Sequence, residues 1–391
     1  MQKIVNLLWK KFKRGKEFTV KMIKNVVAAL AAVLLSSCAS LCGGKGEIAS
    51  GGKEFFRYPD GRRAKVYQLR CADGFGADIS DHGATIIAIY TPDRNGKIRN
   101  VALSWADPAR YINHPIYLGA VVGRLANRVK NGRFTLDNVT YQLLLNDRKT
   151  NTLHGGFGIS GRLWQVKSFN GKELVLTLQS LHGDGGFPGN LAITARYTVS
   201  DDHTLKLEIT ALPDRKTVAD FTNHVYLNLN GEGNGDCADH TIVMKAPRRT
   251  AVDSKLLPTG DTPLVAGTAY DLQKRPRTFA DIRKSFPNGQ DDNYIIQERA
   301  GVWTQAAAVV WAKESGIRLT LSTDRPGIQF YMGGCLQNKA GRSGTYLKGG
   351  GFCLETQNWP DAVNIPSFPS AVITPEKPYS GTTVWKFDVI K

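Results

Sequence analysis

The chain has 391 residues, 42% of them hydrophobic and 22% charged, with 40 glycines and a formal net charge of +17. This balance is ordinary for a soluble globular protein of one large domain or two, and the glycine content suits a loop-rich, all-β architecture. Beyond residue 37 the basic residues are scattered, with no long run and none interleaved with aromatics, so nucleic acid is not an expected partner.

The N-terminus reads apart from the rest. Lys3 to Lys24 is basic, and Val26–Leu35 is a short apolar run ending in Leu35-Ser36-Ser37-Cys38. A positive region, a short apolar region and small residues at a cut make a secretory signal. The run is too short for a spanning helix, which takes about 20 residues. Leu35-Ser36-Ser37-Cys38 also resembles a bacterial lipobox, in which Cys38 becomes the lipid-bearing first residue of the mature chain. Residues 1–37 are therefore expected to be a signal peptide, with Met22 as a candidate start because Met22-Ile23-Lys24-Asn25 opens a more typical basic region. The alternative is an ordinary signal, cleaved without lipidation. The expected product is an exported protein of a bacterial cell envelope, touching a membrane only through its lipid anchor. Residues 1–37 hold eight Lys/Arg and one acid, so +7 of the +17 leaves with them and +10 remains. The cysteines after Cys38 are Cys42, Cys71, Cys237, Cys335 and Cys353. Their odd number and wide spacing give neither a disulfide framework nor a paired metal motif, and buried thiols are expected, with room for one disulfide in an exported protein.

Residues 38–54 read as the anchor cysteine and a Gly/Ser/Ala-rich tether. From Phe55 onward the pattern is short strands with turn punctuation. Arg133–Leu144 alternates around Asp137-Asn138, a hairpin signal. Glu173–Leu181 is a further β run. Ala192–Val199 and Thr204–Ala211 flank Asp201-Asp202-His203, and Ala306–Lys313 and Ile317–Ser322 flank Glu314-Ser315-Gly316. Thr383–Ile390 reads as a closing strand, and a helical period appears only around Phe279–Phe286. With no repeat and no internal linker, residues 55–391 are expected to form a single large antiparallel β domain.

Gly351–Asn364 reads G-F-C-L-E-T-Q-N-W-P-D-A-V-N and sets one carboxylate, Glu355, inside an apolar strand. A carboxylate there is desolvated, which raises its proton affinity towards the range of a general base; a structural ion pair is the other reading. Gln357, Asn358 and Trp359 are residue types that hold sugars. Five more segments concentrate polar chemistry: G-R-L-A-N-R (123–128), N-T-L-H-G-G (151–156), N-H-V-Y-L-N-L-N-G (223–231), G-Q-D-D-N-Y (289–294) and G-I-Q-F-Y-M-G (327–333). Taken singly, each can be structural: a histidine beside glycines is often a turn residue, two acids after Asn-Gly are usually a turn, and an arginine is often half of a structural pair.

In this order the six segments resemble the aldose 1-epimerase (galactose mutarotase) family, from about Phe55 to the C-terminus. The resemblance implies a large antiparallel β-sandwich of the galactose mutarotase-like supersandwich type. It implies a free hexose, glucose or galactose, as substrate. Glu355 is then the general base at the anomeric hydroxyl and His224 the general acid at the ring oxygen. His154 hydrogen-bonds the sugar near the reacting centre, while Asn127, Arg128, Asp291 and Gln329 bind hydroxyls. Many members have Asp-His where this chain has Asp291-Asp292; the role falls to Asp291 by position, with Asp292 as fallback. Leu227 stands where Phe is common, a packing change.

Residue chemistry agrees. Opening a cyclic hemiacetal removes one proton from O1 and delivers one to O5, and a carboxylate and an imidazolium on opposite sides of the ring can do both. An unperturbed histidine pKa of about 6.5 permits proton exchange near neutrality, and a negative Glu355 is expected to favour the charged form of His224. The reaction has no redox step and no group transfer, so no cofactor is expected; the sequence has no dinucleotide fingerprint, P-loop or H-E-x-x-H. The chain is expected to act as a monomer or weak dimer. Three alternatives stand beside this reading: a non-catalytic carbohydrate-binding or sensor protein, a lyase or hydrolase of this fold, and a metal site of His154, His224, Asp291 and Glu355. The first would need neither Glu355 nor His224, the second often carries an extra helical domain absent here, and the third has no support from ligand spacing.

Overall fold

The structure, a computed structural model, describes residues 51–113 and 116–390. Cys38, Cys42, the signal region and most of the tether lie outside the described residues. Period-two alternation organises what is described. Leu191–Ser200 buries Ile193, Ala195, Tyr197 and Val199 on one face, and the partner strand Thr204–Pro213 buries Leu205, Leu207, Ile209 and Ala211. Side chains two apart share a face of a strand, so both strands turn one apolar stripe inward.

These two strands lie inside an antiparallel sheet of nine. Its order is Gln165–Phe169, Glu173–Ser180, Leu191–Ser200, Thr204–Pro213, Tyr379–Val389, Ile317–Thr323, Thr304–Ala312, His240–Met244 and Arg277–Thr278. The C-terminal strand, Tyr379–Val389, thus sits mid-sheet between strands from distant parts of the sequence. A second antiparallel sheet of five runs in chain order from Lys53–Arg57 to Ile98–Asn100. Leu69, Ile79, Ile86 and Ile89 of this sheet share a core with Leu176, Ile193, Leu207, Leu319 and Phe387 of the nine-stranded one. This is the expected all-β sandwich. The one α-helix among the described residues, Phe279–Ser285, starts at Thr278, whose hydroxyl accepts from the Asp281 amide. No helix of the described residues is long and apolar enough to cross a membrane. Cys71, Cys237, Cys335 and Cys353 are free thiols.

A smaller four-stranded sheet carries the polar chemistry, in the order Arg248–Arg249, Asp291–Ile295, Gly327–Tyr331 and Cys353–Gln357. Tyr294, Ile328, Phe330 and Leu354 on one face join the main core. The alternate residues Asp291, Gln329, Tyr331 and Glu355 line a cavity on the other face.

Candidate active site

The cavity, of about 180 Å³, is lined by all seven residues proposed from the sequence: Asn127, Arg128, His154, His224, Asp291, Gln329 and Glu355. Strand register brings three of them together. Gln329 pairs with Glu355 and Tyr331 with Cys353, while Asp291 pairs with Tyr331. The Gln329 amide nitrogen donates to Asp291 Oδ1 at 2.6 Å. Asp292, one residue on, turns to the opposite face and lies 3.6 Å from Arg249, where burial pushes its carboxyl up to about 6. The alternation of the strand therefore selects Asp291 over Asp292.

The opposite wall joins loop residues in unusual backbone conformations to Arg128, on the two-residue strand Arg128–Val129 that pairs with Thr152–Leu153. Asn127, His154 and Tyr117 have φ of 60°, 53° and 54°, a left-handed region sparsely used by non-glycine residues. Asn127 and His154 hold each other: the His154 amide donates to the Asn127 carbonyl at 2.9 Å, and the Asn127 amide donates to His154 Nδ1 at 3.1 Å. Gly155 lets the loops meet, since a Cβ there would lie 2.1 Å from the Gly123 carbonyl oxygen. Nearby, the fully buried Arg124 donates to the carbonyls of Ser180, Leu181, Pro188 and Gly189 and to the Ser180 hydroxyl. It is the structural arginine of G-R-L-A-N-R. Arg128 faces the cavity, 3.5 Å from Asp147 and 4.0 Å from Asp291.

His224 joins the two walls. Its amide donates to Ala120 and its carbonyl accepts from Gly119, while reciprocal bonds between Leu227 and Phe352 tie its segment to the Glu355 strand. The imidazole stacks on Tyr226 at 4.9 Å and meets His154 edge-on at 5.1 Å. His224 Nε2 lies 3.7 Å from Glu355 Oε1.

The charge balance differs from the expectation. Burial pushes Glu355 well above the ordinary carboxylate value, reinforced by Asp291 and opposed by Arg128. Burial also lowers His224, to about 4. Desolvation is the first cause for both groups, and at 3.7 Å it pushes each towards its uncharged form. His154 is likewise held neutral, well below its ordinary value, by burial and then by His224 and Arg128.

The ligand atoms of His154, His224 and Glu355 lie within 4.8 Å of one another, a grouping that could hold a metal ion; Asp291 is not in it. The hydrogen bonding of His154 argues against a metal. Its Nδ1 accepts an amide proton, so in the neutral ring Nε2 carries the hydrogen and has no lone pair for a cation. The site is built for hydrogen bonding.

The aldose 1-epimerase family model matches residues 65–386. A galactose mutarotase of Rattus norvegicus is 40% identical over 351 residues, covering 88% of this chain and 97% of the rat protein. The aldose 1-epimerase of Escherichia coli (strain K12) is 33% identical over 338 residues, covering 84% and 96%.

The chain belongs to the aldose 1-epimerase family.

Solved structures agree. An aldose epimerase homologue from C. elegans superposes with a TM-score of 0.78 at 26% identity, covering 84% of this chain and all of that one. A galactose 1-epimerase from Lactobacillus acidophilus NCFM gives 0.75 at 26% identity, covering 87% and 99%. The fold is galactose mutarotase-like, and the protein is an isomerase, an aldose 1-epimerase.

Some expectations about this epimerase need correcting, and some residues were missed. Gln357, Asn358 and Trp359 do not line the cavity. Gln357 is fully buried, Asn358 ties Asp220 to Pro369, and Trp359 packs on Phe368 at 5.0 Å. Past the end of the strand the chain turns into the core, and Asn358 and Trp359 serve that turn. Tyr117, Tyr226, Tyr331 and Cys335 line the cavity without having been singled out. Tyr226 and Tyr331 lie two residues after His224 and Gln329, a spacing that could have marked them.

Proposed function

We propose that Glu355 and His224 of this enzyme interconvert the α and β anomers of free hexoses, glucose or galactose, by opening and closing the ring. One observation carries the residue assignment. Gln329 Oε1 and Glu355 Oε2 are buried polar atoms without a hydrogen bond, and their side chains converge on one cavity. Buried polar groups are ordinarily satisfied, and a polyhydroxylated ring supplies donors for both. Asn127, Arg128, Asp291 and Gln329 hold hydroxyls, and His154 Nε2 donates from the loop wall.

Glu355 takes the proton of the anomeric hydroxyl while His224 gives one to the ring oxygen. The C1–O5 bond breaks, an aldehyde forms, and rotation about C1–C2 exposes its other face. Closure returns both protons along the same path. The pair needs one proton in total, carried on His224 as the ring opens and on Glu355 once the anomeric proton has been taken.

Dissolving crystalline α-D-glucose or α-D-galactose with the protein and following optical rotation tests this. Accelerated relaxation, lost in Glu355→Gln and in His224→Ala, is the expected result. Relaxation no faster than in buffer with any common aldose would overturn the assignment. We propose as well that the enzyme is exported and anchored by a lipid on Cys38, on the strength of the basic–apolar–small pattern before that residue. Cys38→Ala should then move the protein from the membrane fraction to the soluble one, and unchanged partitioning would refute the anchor.

A further inference from the structure

The neighbour of the proposed acid is a thiol. Cys353 Sγ lies 3.4 Å from His224 Nδ1, and both residues are buried. Cys353 and Glu355 are two apart on the strand Cys353–Gln357, so their side chains leave the same face. That strand therefore brackets one imidazole, with sulfur at Nδ1 and a carboxyl oxygen 3.7 Å from Nε2. Tyr226, stacked at 4.9 Å, fixes the ring plane between them.

We infer that Cys353 is a positioning residue that accepts a hydrogen bond from His224 Nδ1–H and so reserves Nε2 for proton exchange with the sugar. The inference rests on His224 as the acid. Across opening and closure the Nε2 proton goes to O5 and returns. For the return, Nε2 must present a lone pair while the ring is open, so the neutral ring must keep its other hydrogen on Nδ1. A buried Nδ1–H needs an acceptor, and sulfur is the polar atom at hand. The opposite tautomer would leave Nε2–H facing the substrate with no way to take the proton back.

The choice of sulfur has a second consequence. A carboxylate at this position would raise the proton affinity of the imidazole, leaving a poorer acid for a weakly basic ring oxygen. A neutral thiol orients the ring without doing so. Burial holds the Cys353 thiol well above its ordinary value, so it stays uncharged. His154 has the reverse arrangement: its Nδ1 accepts from a backbone amide, which makes Nε2 a permanent donor and unsuited to shuttling. Two adjacent histidines of one cavity thus receive opposite tautomers from their neighbours.

The experiment is two-bond ¹H–¹⁵N correlation of the histidine rings at neutral pH, with kcat and KM, on wild type, Cys353→Ala and Cys353→Ser. In wild type, His224 should carry its hydrogen on Nδ1 and His154 on Nε2. Cys353→Ala should move His224 towards the Nε2–H form and lower kcat by about 10–100-fold, the scale seen when the orienting partner of a metal-ligating histidine is removed, with KM little changed. Cys353→Ser, which keeps an acceptor, should restore the tautomer and most of the rate. His224 protonated on Nε2 in wild type would overturn the inference. So would a loss of rate in Cys353→Ala with the tautomer unchanged, since that marks a packing role. The spectra report on the tautomer whether or not the protein turns over sugar.

Discussion

The two walls of the cavity are made by different means. The strand wall, Asp291, Gln329, Tyr331 and Glu355, is a regular sheet face in which register fixes every neighbour. The loop wall, Tyr117, Asn127, Arg128 and His154, depends on positive φ at three positions and on a glycine with no room for a Cβ. Strands hold atoms rigidly at little cost, which suits a group that must meet a reacting proton. Loops supply inward-pointing donors from several directions, which suits a ring covered in hydroxyls. The strand wall supplies the proton-transfer carboxyl Glu355 besides two hydroxyl-binding groups, whereas the loop wall should serve binding alone.

The sharpest way to break this division is to compare one substitution on each wall. Glu355→Gln should lower kcat by about 10²–10⁴-fold, the scale of a lost general base, with KM little changed. Asn127→Ala should mainly raise KM. A large rise in KM in the first with kcat retained, or a collapse of kcat alone in the second, would erase the distinction.

The pH profile sharpens the comparison through the Glu355–His224 pair. The competent state holds one proton. Below about pH 4 the lowered His224 binds a second, both groups are protonated, and no base remains. Above the raised value of Glu355 the pair loses its only proton, and no acid remains. After subtraction of the spontaneous reaction, kcat/KM, which reports the free enzyme, should fall on the acid side below about pH 4, with its basic limb above the ordinary carboxylate range. A bell between the ordinary Glu and His values would show that burial does not control the pair.

The same division governs what was legible in the sequence. The hairpins at 191–213 and 304–323 follow from alternation and turn residues, while of the polar wall only the strand around Phe352 and Leu354 was legible. Glu355 stands out because a lone acid in an apolar strand is conspicuous. The choice of Asp291 over Asp292 needed the register, because adjacent acids differ only in the face they take. Cys353 looked like a core thiol, and nothing local reveals that a histidine 129 residues away rests on it. Tyr117 lies outside all six segments, and nothing local in the sequence marks its positive φ. Trp359 misled because a polar-aromatic cluster looks alike whether it lines a pocket or plugs a turn.

On the loop wall, Gly155→Ala should cost about 1–3 kcal/mol of stability, because its φ is +67° and the new Cβ would meet the Gly123 carbonyl. A lower Tm together with a raised KM is the expected outcome, since the displaced loop carries His154. An unchanged Tm would mean that the close approach is not required.

The smallest effect is expected at Asp147. Its carboxylate lies 3.5 Å from Arg128 Nε and also accepts from the Asn151 amide. Asp291 draws the same guanidinium from the other side at 4.0 Å, so Arg128 is held between two acids, one per wall. Asp147→Asn removes the loop-side charge and leaves the strand-side one, which should let the guanidinium swing towards Asp291. That motion would disturb hydroxyl binding without touching the proton-transfer pair. KM should rise roughly two- to tenfold, the scale of one ordinary hydrogen bond, while kcat and the acid limb of the pH profile stay in place. A shift of that limb would instead mean that the loop-side charge reaches the Glu355–His224 pair, and that the two walls act as one.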